Sequence, residues 1–398
     1  MSNGTGFAPG HGGIKIQAKG ATVQMVQINQ ERLINEFMEL VQIDSETKQE
    51  AKIAGVLKQK FTDLGLDVIE DNSKAETGHG AGNLICNLAG TKADADTIYF
   101  TSHMDTVVPG NGIKPSIKDG YIVSDGTTIL GADDKAGLAA ILEAIRTLQE
   151  NKIEHGDIQF VITVGEESGL VGAKALDSSL LKAKYGYAID SNGAVGDIIV
   201  AAPTQAKIFT VIKGKTAHAG VAPEKGVSAI TLAAKAIAKM PLGRIDAETT
   251  ANIGRFAGGQ QTNIVCDYVE ILAEARSLVP EKMEAQVAKM KDAFETTAEG
   301  LGGSAEVDVK IMYPGFNQKA GDQVVEVARN AAKVIGRESK LLKSGGGSDA
   351  NVIAGFGIPT VNLAVGYEEI HTTNERIPVD ELVKVTELIT AIVEEAAK

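Results

Sequence analysis

The chain has 398 residues, of which 43% are hydrophobic and 23% are charged, and its formal net charge is -13. This length exceeds what one compact core usually holds, so we expect two domains. The acidic charge argues against nucleic acid as a partner, and no apolar run approaches the roughly 20 residues of a membrane-spanning helix. We therefore expect binding to neither nucleic acid nor a membrane.

The start of the chain differs in composition from the rest. Residues 1–24 are rich in glycine and lack periodicity, and Met25 could be the natural start. Because the charged-then-apolar order of a signal peptide is missing, we expect these residues to be an added leader outside the fold. Cys86 and Cys266 are too few for a disulfide framework, so a reducing cytoplasm is the expected location.

Strands and helices alternate after the leader. Apolar periodicity predicts the helices, and short apolar runs bounded by turn residues predict the strands. In chain order these are helices at 29–42 and 50–64, strands at 67–70, 83–88 and 97–101, a hairpin at 114–125, a helix at 138–148, and strands at 158–164 and 185–189. The alternation is typical of an α/β domain.

The pattern changes between residues 203 and 312. The elements predicted there are a strand at 207–213, a helix at 227–240, strands at 249–256 and 263–276, a helix at 281–299 and a strand at 305–312. This order is the ferredoxin-like signature. The first pattern then resumes with a helix at 323–335, a strand at 359–365 and a helix at 380–395. We therefore predict an α/β domain of residues 25–202 and 313–398, with a ferredoxin-like α+β domain of residues 203–312 inserted into it.

The segment from Gly131 to Gly137 places two adjacent acids, Asp133 and Asp134, at the start of the helix that continues through Leu138. One carboxylate at a helix N-terminus is often only a cap, since the free N–H groups and the helix dipole stabilise it. A second acid beside the first needs another explanation. Cation binding is the explanation that the rest of the chain favours.

Metal-ligand residue types also follow several predicted strands. In isolation, each of these residues is equally consistent with a surface, loop or turn role. In an open α/β sheet, however, the ends of the strands can combine to form one site. The positions are His103 with Asp105, Glu166 with Glu167, Asp190, and His371.

Together these positions offer nitrogen and oxygen donors without a thiolate, a set that suits zinc, or manganese or cobalt. Five ligands are too many for one open tetrahedral zinc, but they suit two metals that share a bridging carboxylate and have a water between them. Because adjacent residues of an extended segment face opposite ways, one of Glu166 and Glu167 can bind metal while the other faces the substrate. The candidate ligands are His103, Asp133, Glu167, Asp190 and His371.

These motifs resemble the di-zinc exopeptidases that include peptidase T, glutamate carboxypeptidase and aminoacylase. The resemblance spans nearly the whole chain after the leader and is greatest to the peptidase T-like branch. It implies a mixed-sheet, phosphorylase/hydrolase-like catalytic domain with an inserted lid or dimerisation domain. It is carried by the order His103-x-Asp105, Gly131-Ala-Asp-Asp-Lys-Ala-Gly137, Glu166-Glu167, Asp190 and His371.

The resemblance also implies a role for each residue. Asp133 would bridge the two metals, with His103 and Asp190 on one and Glu167 and His371 on the other. Glu166 would be the general base of amide hydrolysis, and Asp105 would orient the His103 ring. In the inserted domain it implies substrate contacts from three further residues, which are His218, Asn263 and Arg276. In relatives, the matching histidine can reach the site of a partner subunit, so a homodimer through this domain is conceivable.

One position departs from the family pattern. Tripeptidase relatives carry an arginine ahead of a Gly-Gly-Thr-Asp segment, whereas this chain has Gly345 there, within the run from Ser344 to Asp349. Strict specificity for tripeptides is therefore not implied. The expected substrate is a small peptide cleaved by an aminopeptidase. The alternatives are an N-acyl amino acid deacylase or a carboxypeptidase of the same family, and, in a different class, a non-catalytic metal-binding protein.

Overall fold

The structure of the protein is a computed structural model that describes residues 27–398, so the predicted leader lies outside the described residues. In this part of the chain the helices are α1 (Gln30–Val41), α2 (Ala51–Asp63), α3 (Ser73–Thr77), α4 (Ala132–Asn151), α5 (Val171–Lys174), α6 (Ala229–Ile237), α7 (Pro280–Gly300), α8 (Gln323–Val334), α9 (Asp349–Gly355) and α10 (Val379–Ala396). None of these helices is long and apolar enough to cross a membrane.

Three sheets account for the strands in the described part of the chain. The strands are β1 (Asp67–Glu70), β2 (Leu84–Leu88), β3 (Ile98–His103), β4 (Ser116–Lys118), β5 (Tyr121–Val123), β6 (Ile158–Thr163), β7 (Tyr185–Ser191), β8 (Asp197–Ala202), β9 (Thr204–Lys213), β10 (Gly243–Arg244), β11 (Thr249–Gly258), β12 (Tyr268–Ser277), β13 (Ser304–Tyr313), β14 (Phe316–Asn317), β15 (Lys340–Lys343), β16 (Thr360–Ala364) and β17 (Arg376–Pro378).

The largest sheet is mixed, as the predicted fold class requires. Its order is β1-β2-β6-β3-β7-β16-β8-β14, and β15 also pairs with β8. The four central strands β6, β3, β7 and β16 run parallel, so their carboxyl ends lie at one edge. All six residues of β3 and of β6 are buried, which is expected of parallel strands covered on both faces.

Helix α4 crosses beneath the centre of this sheet and packs against α1 and α10. Its first half contains small residues that allow a close approach to the strands. A Cβ atom added to Gly137 would lie only 2.8 Å from the carbonyl oxygen of Ile189 in β7. Glycine at position 137 therefore allows the start of α4 to lie directly against the strand that carries Asp190.

The second sheet has the order β10-β11-β12-β9-β13 and is antiparallel throughout. Its elements follow the predicted order of strand, helix, two strands, helix and strand, with the short β10 added. Helices α6 and α7 pack on one face of this sheet and enclose a core of their own. That residues 203–312 form a separate domain stays a prediction.

A third, three-stranded sheet joins β4 and β5 to β17 near the end of the chain. Its hairpin turns at Asp119 and Gly120, which have φ angles of 51° and 82°, as the Asp-Gly pair predicted. Strand β17 begins at Arg376, which also pairs with Glu368 and closes a loop between them. This loop carries His371.

The chain passes between the two larger sheets twice, once near Pro203 and once near Pro314. The buried amide of Asn351 in α9 donates hydrogen bonds to the carbonyl oxygens of both residues, at 3.2 and 2.9 Å. Its own carbonyl oxygen accepts from the backbone N–H of Ser348 at 3.1 Å. One side chain therefore holds both crossings together and caps α9.

Candidate metal centre

The ends of four neighbouring parallel strands position most of the candidate ligands. Strand β3 ends at His103, β7 contains Asp190 near its end, and β6 leads through a short turn to Glu166 and Glu167. Strand β16 leads to the loop that carries His371. The side chains therefore meet at the carboxyl edge of the sheet, where ligand sites of open α/β sheets form.

Asp133 lies at the centre of this group, in a turn just ahead of the regular part of α4. Its two oxygens point to different histidines: Oδ1 lies 3.0 Å from Nε2 of His103, and Oδ2 lies 3.2 Å from Nε2 of His371. The His371 ring also lies 3.0 Å from Oε1 of Glu167, and the His103 ring lies 3.8 Å from Oδ1 of Asp190. The structure thus brings all five predicted ligands together.

The donor atoms separate into groups that fit divalent cations. His103, Asp133 and Asp190 each offer an atom within 4.8 Å of the others, and so do Asp133, Glu167 and His371. The two groups share Asp133, as expected of a bridging carboxylate between two metals. A third group, formed by His103 with Glu166 and Glu167, meets the same limit, so the geometry by itself does not separate the roles of the two glutamates.

Asp105 lies behind the ring of His103, through both its backbone carbonyl and its carboxylate. Nδ1 of the ring lies 2.9 Å from the backbone oxygen of Asp105 and 3.5 Å from the carboxylate oxygen Oδ1. A proton on Nδ1 donated to that carbonyl leaves the Nε2 lone pair free to bind a cation. The Asp105 carboxylate also accepts hydrogen bonds from the backbone N–H groups of Glu166 and Glu167 and from the hydroxyl of Thr47.

The pKa values indicate a site with a large density of negative charge. Burial acts to raise the pKa of Asp133, but hydrogen bonds from His103 and His371 outweigh it and bring the pKa below its ordinary value. For Glu166 and Asp190, burial and neighbouring carboxylates raise the pKa. The two acidic partners of His371 raise its pKa to about 10. Carboxylates this close together favour bound cations.

A cavity of about 260 Å³ opens onto this group. Four carboxylates and His371 line one side of it, and the glycine-rich turn from Ser344 to Ser348 lines another. Among its described lining residues there is no lysine or arginine. Apolar side chains complete the wall, namely Ile199, Ala202, Phe316 and Ile370.

The three substrate-contact residues predicted in the inserted domain lie outside this lining. His218 and Asn263 are exposed, and they are near one another because His218 pairs with Ile264 in an isolated bridge. Arg276 is nearer the cavity: its Nη1 donates to the carbonyl oxygen of Gly345 at 3.2 Å, while its Nε pairs with Glu274. The structure therefore places Arg276 beside the glycine-rich turn and does not bring His218 or Asn263 to the ligands.

Several residues that support the site were not predicted from the sequence. The buried Glu375 accepts hydrogen bonds from backbone N–H groups of the turn before α4, and burial raises its pKa to about 7. The side chain of Asn362 bonds to the backbone of Asp190, and the hydroxyl of Tyr367 donates to the Asp190 carboxylate at 3.2 Å. A glutamate in a polar loop and an asparagine inside a strand carry no local signal of such a role.

Comparisons with known proteins place the chain in one peptidase family. The model of peptidase family M20/M25/M40 matches residues 99–395. The crystal structure of aminopeptidase PepT from Bacillus cereus ATCC 10987 is 76% identical, with a TM-score of 0.91, over 93% of this chain and 100% of that one. A tripeptidase structure from Staphylococcus aureus subsp. aureus Mu50 is 55% identical, with a TM-score of 0.89, over 93% of this chain and 99% of that one.

A more distant structure shares the fold. The YXEP protein of Bacillus subtilis, a dinuclear metal-binding peptidase from the M20 family, is 19% identical, with a TM-score of 0.73, over 92% of this chain and 98% of that one. The family model covers most of the described chain. The aminopeptidase PepT and tripeptidase structures match this chain at high identity. The protein therefore belongs to peptidase family M20/M25/M40 and to its peptidase T-like branch.

Proposed function

We propose that the protein is an aminopeptidase that removes the N-terminal residue from tripeptides or similar short peptides, with two bound divalent cations. The observation that carries this proposal is Asp133, whose two oxygens lie 3.0 and 3.2 Å from the histidines of two donor groups. The donor set suits zinc, and manganese or cobalt are the alternatives. The cytoplasm remains the proposed location.

We assign the ligands as the motifs imply. His103 and Asp190 would hold one cation, Glu167 and His371 the other, and Asp133 both. Bound there, the cations supply a Lewis acid for the peptide carbonyl and lower the pKa of the water that attacks it.

Glu166 is the proposed general base. It lines the cavity beside the ligands, and its backbone N–H is fixed by Asp105 at 3.0 Å. Glu166 would take the proton of the attacking water and pass it to the leaving amine. Burial, and after it the neighbouring carboxylates, raise its pKa, which suits a group that must hold this proton between the two steps.

The direction of cleavage is proposed from Arg276 and from the relatives. The four carboxylates of the described cavity lining are the proposed metal ligands and base, so two bound cations would balance their charge, and that charge by itself selects neither end of a peptide. Arg276, which contacts Gly345 beside the cavity, is the proposed partner for the distant carboxylate of a short peptide. The printed names of the relatives, an aminopeptidase and a tripeptidase, support the same direction.

We further propose that residues 203–312 act as a lid or dimerisation domain. Its own core and separate sheet support this organisation. His218 and Asn263 lie outside the cavity lining, so they would reach the substrate only after movement of this domain or from a partner subunit.

A substrate panel combined with metal analysis tests the proposal. We expect two metal ions per chain, and cleavage of a tripeptide that stops when its N-terminus is acetylated and survives when its C-terminus is amidated. Glu166→Gln should retain both metals without hydrolysis. Cleavage of the acetylated but not the amidated peptide would instead indicate a carboxypeptidase, and hydrolysis of N-acyl amino acids alone would indicate a deacylase. Activity that persists after complete metal removal would refute the metal-dependent mechanism.

A further inference from the structure

Glu375 connects the two turns that carry Asp133 and His371. Its side chain is 2% exposed, and its Oε2 accepts hydrogen bonds from the N–H groups of Leu130 and Gly131 at 2.8 and 2.7 Å. Its Oε1 accepts from the N–H of Asp133 itself, at 2.9 Å. Three of the four lone-pair directions of this carboxylate are thus used by one short stretch of backbone.

The N–H groups of that backbone have no hydrogen-bond acceptor within a helix. Asp133 has φ and ψ of −81° and 103°, which are not helical angles, and Gly131 has a φ of 74°. The regular part of α4 begins only after this turn, so a ladder of helical hydrogen bonds cannot satisfy these N–H groups. Buried N–H groups need acceptors, and Glu375 is the acceptor that the structure provides.

The other end of the connection is the loop that carries His371. Glu368 and Arg376 exchange backbone hydrogen bonds of 2.8 and 3.1 Å, which close the loop at its base. Glu375 directly precedes Arg376, so its backbone is fixed by this closure. The loop itself turns through residues with positive φ, 56° at Glu369 and 62° at His371. A loop of this shape holds His371 in place only while its base stays attached.

We propose that Glu375 is a positioning residue for the metal centre: it sets the distance between the Asp133 turn and the His371 loop, and therefore the affinity for the cation that these two residues share. This inference rests on the proposed metal centre. Glu375 is absent from the described cavity lining and from the donor groups, and it contacts the ligand Asp133 only at the backbone N–H, so it acts through the two ligands.

The test compares Glu375→Gln with Glu368→Gln. Glutamine keeps the size of Glu375 but turns an NH₂ group toward a backbone N–H, so one or two of the three hydrogen bonds must be lost. Glu368 is in the same loop, but its side chain forms an exposed ion pair with Arg376 at 2.6 Å. Glu368→Gln therefore controls for removal of a charge from this loop.

Both variants and the wild-type chain are stripped of metal and titrated with cobalt(II), following binding by calorimetry and coordination by the visible absorption of the metal. We expect Glu375→Gln to bind one cobalt ion about 10–100-fold more weakly than the wild type, with an altered spectrum. Glu368→Gln should match the wild type. Unchanged affinities and an unchanged spectrum for Glu375→Gln would overturn the proposal.

Thermal melting with and without cobalt separates positioning from general stability. A positioning role reduces the rise in melting temperature that cobalt produces, because that rise depends on the affinity of the folded protein. A purely structural role lowers both melting temperatures equally and leaves the rise intact, which would also overturn the proposal. If Glu375→Gln does not fold, Glu375→Asp, which keeps both oxygens, takes its place under the same criteria. A wild-type chain that binds fewer than two cobalt ions would instead refute the metal centre itself.

Discussion

The carboxylate oxygen Oδ1 of Asp105 accepts a hydrogen bond from the backbone N–H of Glu166 at 3.0 Å. The other oxygen accepts from Glu167 and from the hydroxyl of Thr47. Asp105 thus holds the turn of both glutamates, while its backbone carbonyl lies 2.9 Å from Nδ1 of His103. One residue joins the proposed base to ligands of both proposed cations.

This relationship predicts the effect of Asp105→Asn. Asparagine has a single acceptor oxygen, and its NH₂ group would face an N–H donor or the Thr47 hydroxyl. We expect the Glu166–Glu167 turn to shift, and turnover or metal affinity to fall by about 10–100-fold. Steady-state kinetics and metal analysis measure the change. The exposed Asp63→Asn in α2 is the control, and wild-type kinetics in Asp105→Asn would show that the contact does not matter.

Glu166→Gln should separate chemistry from metal binding. The amide keeps the shape of the side chain but cannot take a proton from water, so we expect turnover to fall by about 10²–10⁴-fold. Both metals should remain bound, because the proposed ligands are unchanged. Metal content and single-turnover hydrolysis of a tripeptide measure the two effects. Loss of a metal ion would reassign Glu166 as a ligand, as the donor group that contains both glutamates allows.

His218→Ala tests whether the proposed lid or dimerisation domain contributes to catalysis. The residue is exposed and lies outside the cavity lining. If the substrate contact of His218 that the resemblance implies polarises the scissile carbonyl, loss of His218 should cost on the order of 10²–10³ in turnover with metal content unchanged.

Mixing variants shows where His218 acts. If the histidine of one subunit serves the site of another, Glu166→Gln mixed with His218→Ala should recover part of the activity, because a mixed dimer contains one intact pair. Without recovery, His218 would have to reach its own site by movement of the lid. Full activity of His218→Ala alone would remove it from the mechanism.

The glycine-rich turn offers a matched pair of substitutions. A Cβ atom at Gly347 would lie 2.4 Å from the ring of Tyr313, whereas a Cβ atom at Gly345 meets nothing within 4 Å. We expect Gly347→Ala to displace the turn, raise KM and destabilise the fold by about 1–3 kcal/mol. Gly345→Ala should leave KM and the free energy of unfolding unchanged. Kinetics and denaturant unfolding measure the difference, and equal effects of the two substitutions would contradict it.

Metal removal should lower the thermal stability of the protein. Without cations, the acids around Asp133 are buried and repel one another, and burial together with this repulsion raises the pKa values of Glu166 and Asp190. A cation at 100 times its dissociation constant stabilises the folded state by about 2.7 kcal/mol per site. Calorimetry before and after chelation should show a lower Tm, restored by zinc. An unchanged Tm would mean that the site binds cations weakly or not at all.

The sequence was informative where local patterns determine structure. The predicted strand 97–101 and helix 323–335 appear as β3 and α8, within two residues at each end. Strand 263–276 was predicted too long: β12 begins at Tyr268, and Asn263 lies in the preceding turn. A hydrophobic period locates an element, but the point at which pairing begins depends on its neighbours in the sheet.

Tertiary contacts explain what the sequence could not predict. Strand β8 and helix α9 were missed: β8 is a short apolar run without alternation, and α9 has only seven residues, too few to show a helical period. Glu375 and Asn362 support Asp133 and Asp190 across long separations in the chain. The ligand types and their order were visible because metal binding restricts the choice of residue, whereas a supporting hydrogen bond can come from many residue types.

The side-chain amide of Asn351 couples the relative orientation of the two large sheets to the shape of the cavity. It is hydrogen-bonded to the carbonyl oxygens of Pro203 and Pro314 at the two chain crossings and to the backbone N–H of Ser348, which lines the cavity. A rotation of one sheet relative to the other would therefore strain hydrogen bonds of the same side chain that holds Ser348 in the cavity wall. By the same linkage, a substrate that displaced Ser348 would act on the two chain crossings at Pro203 and Pro314.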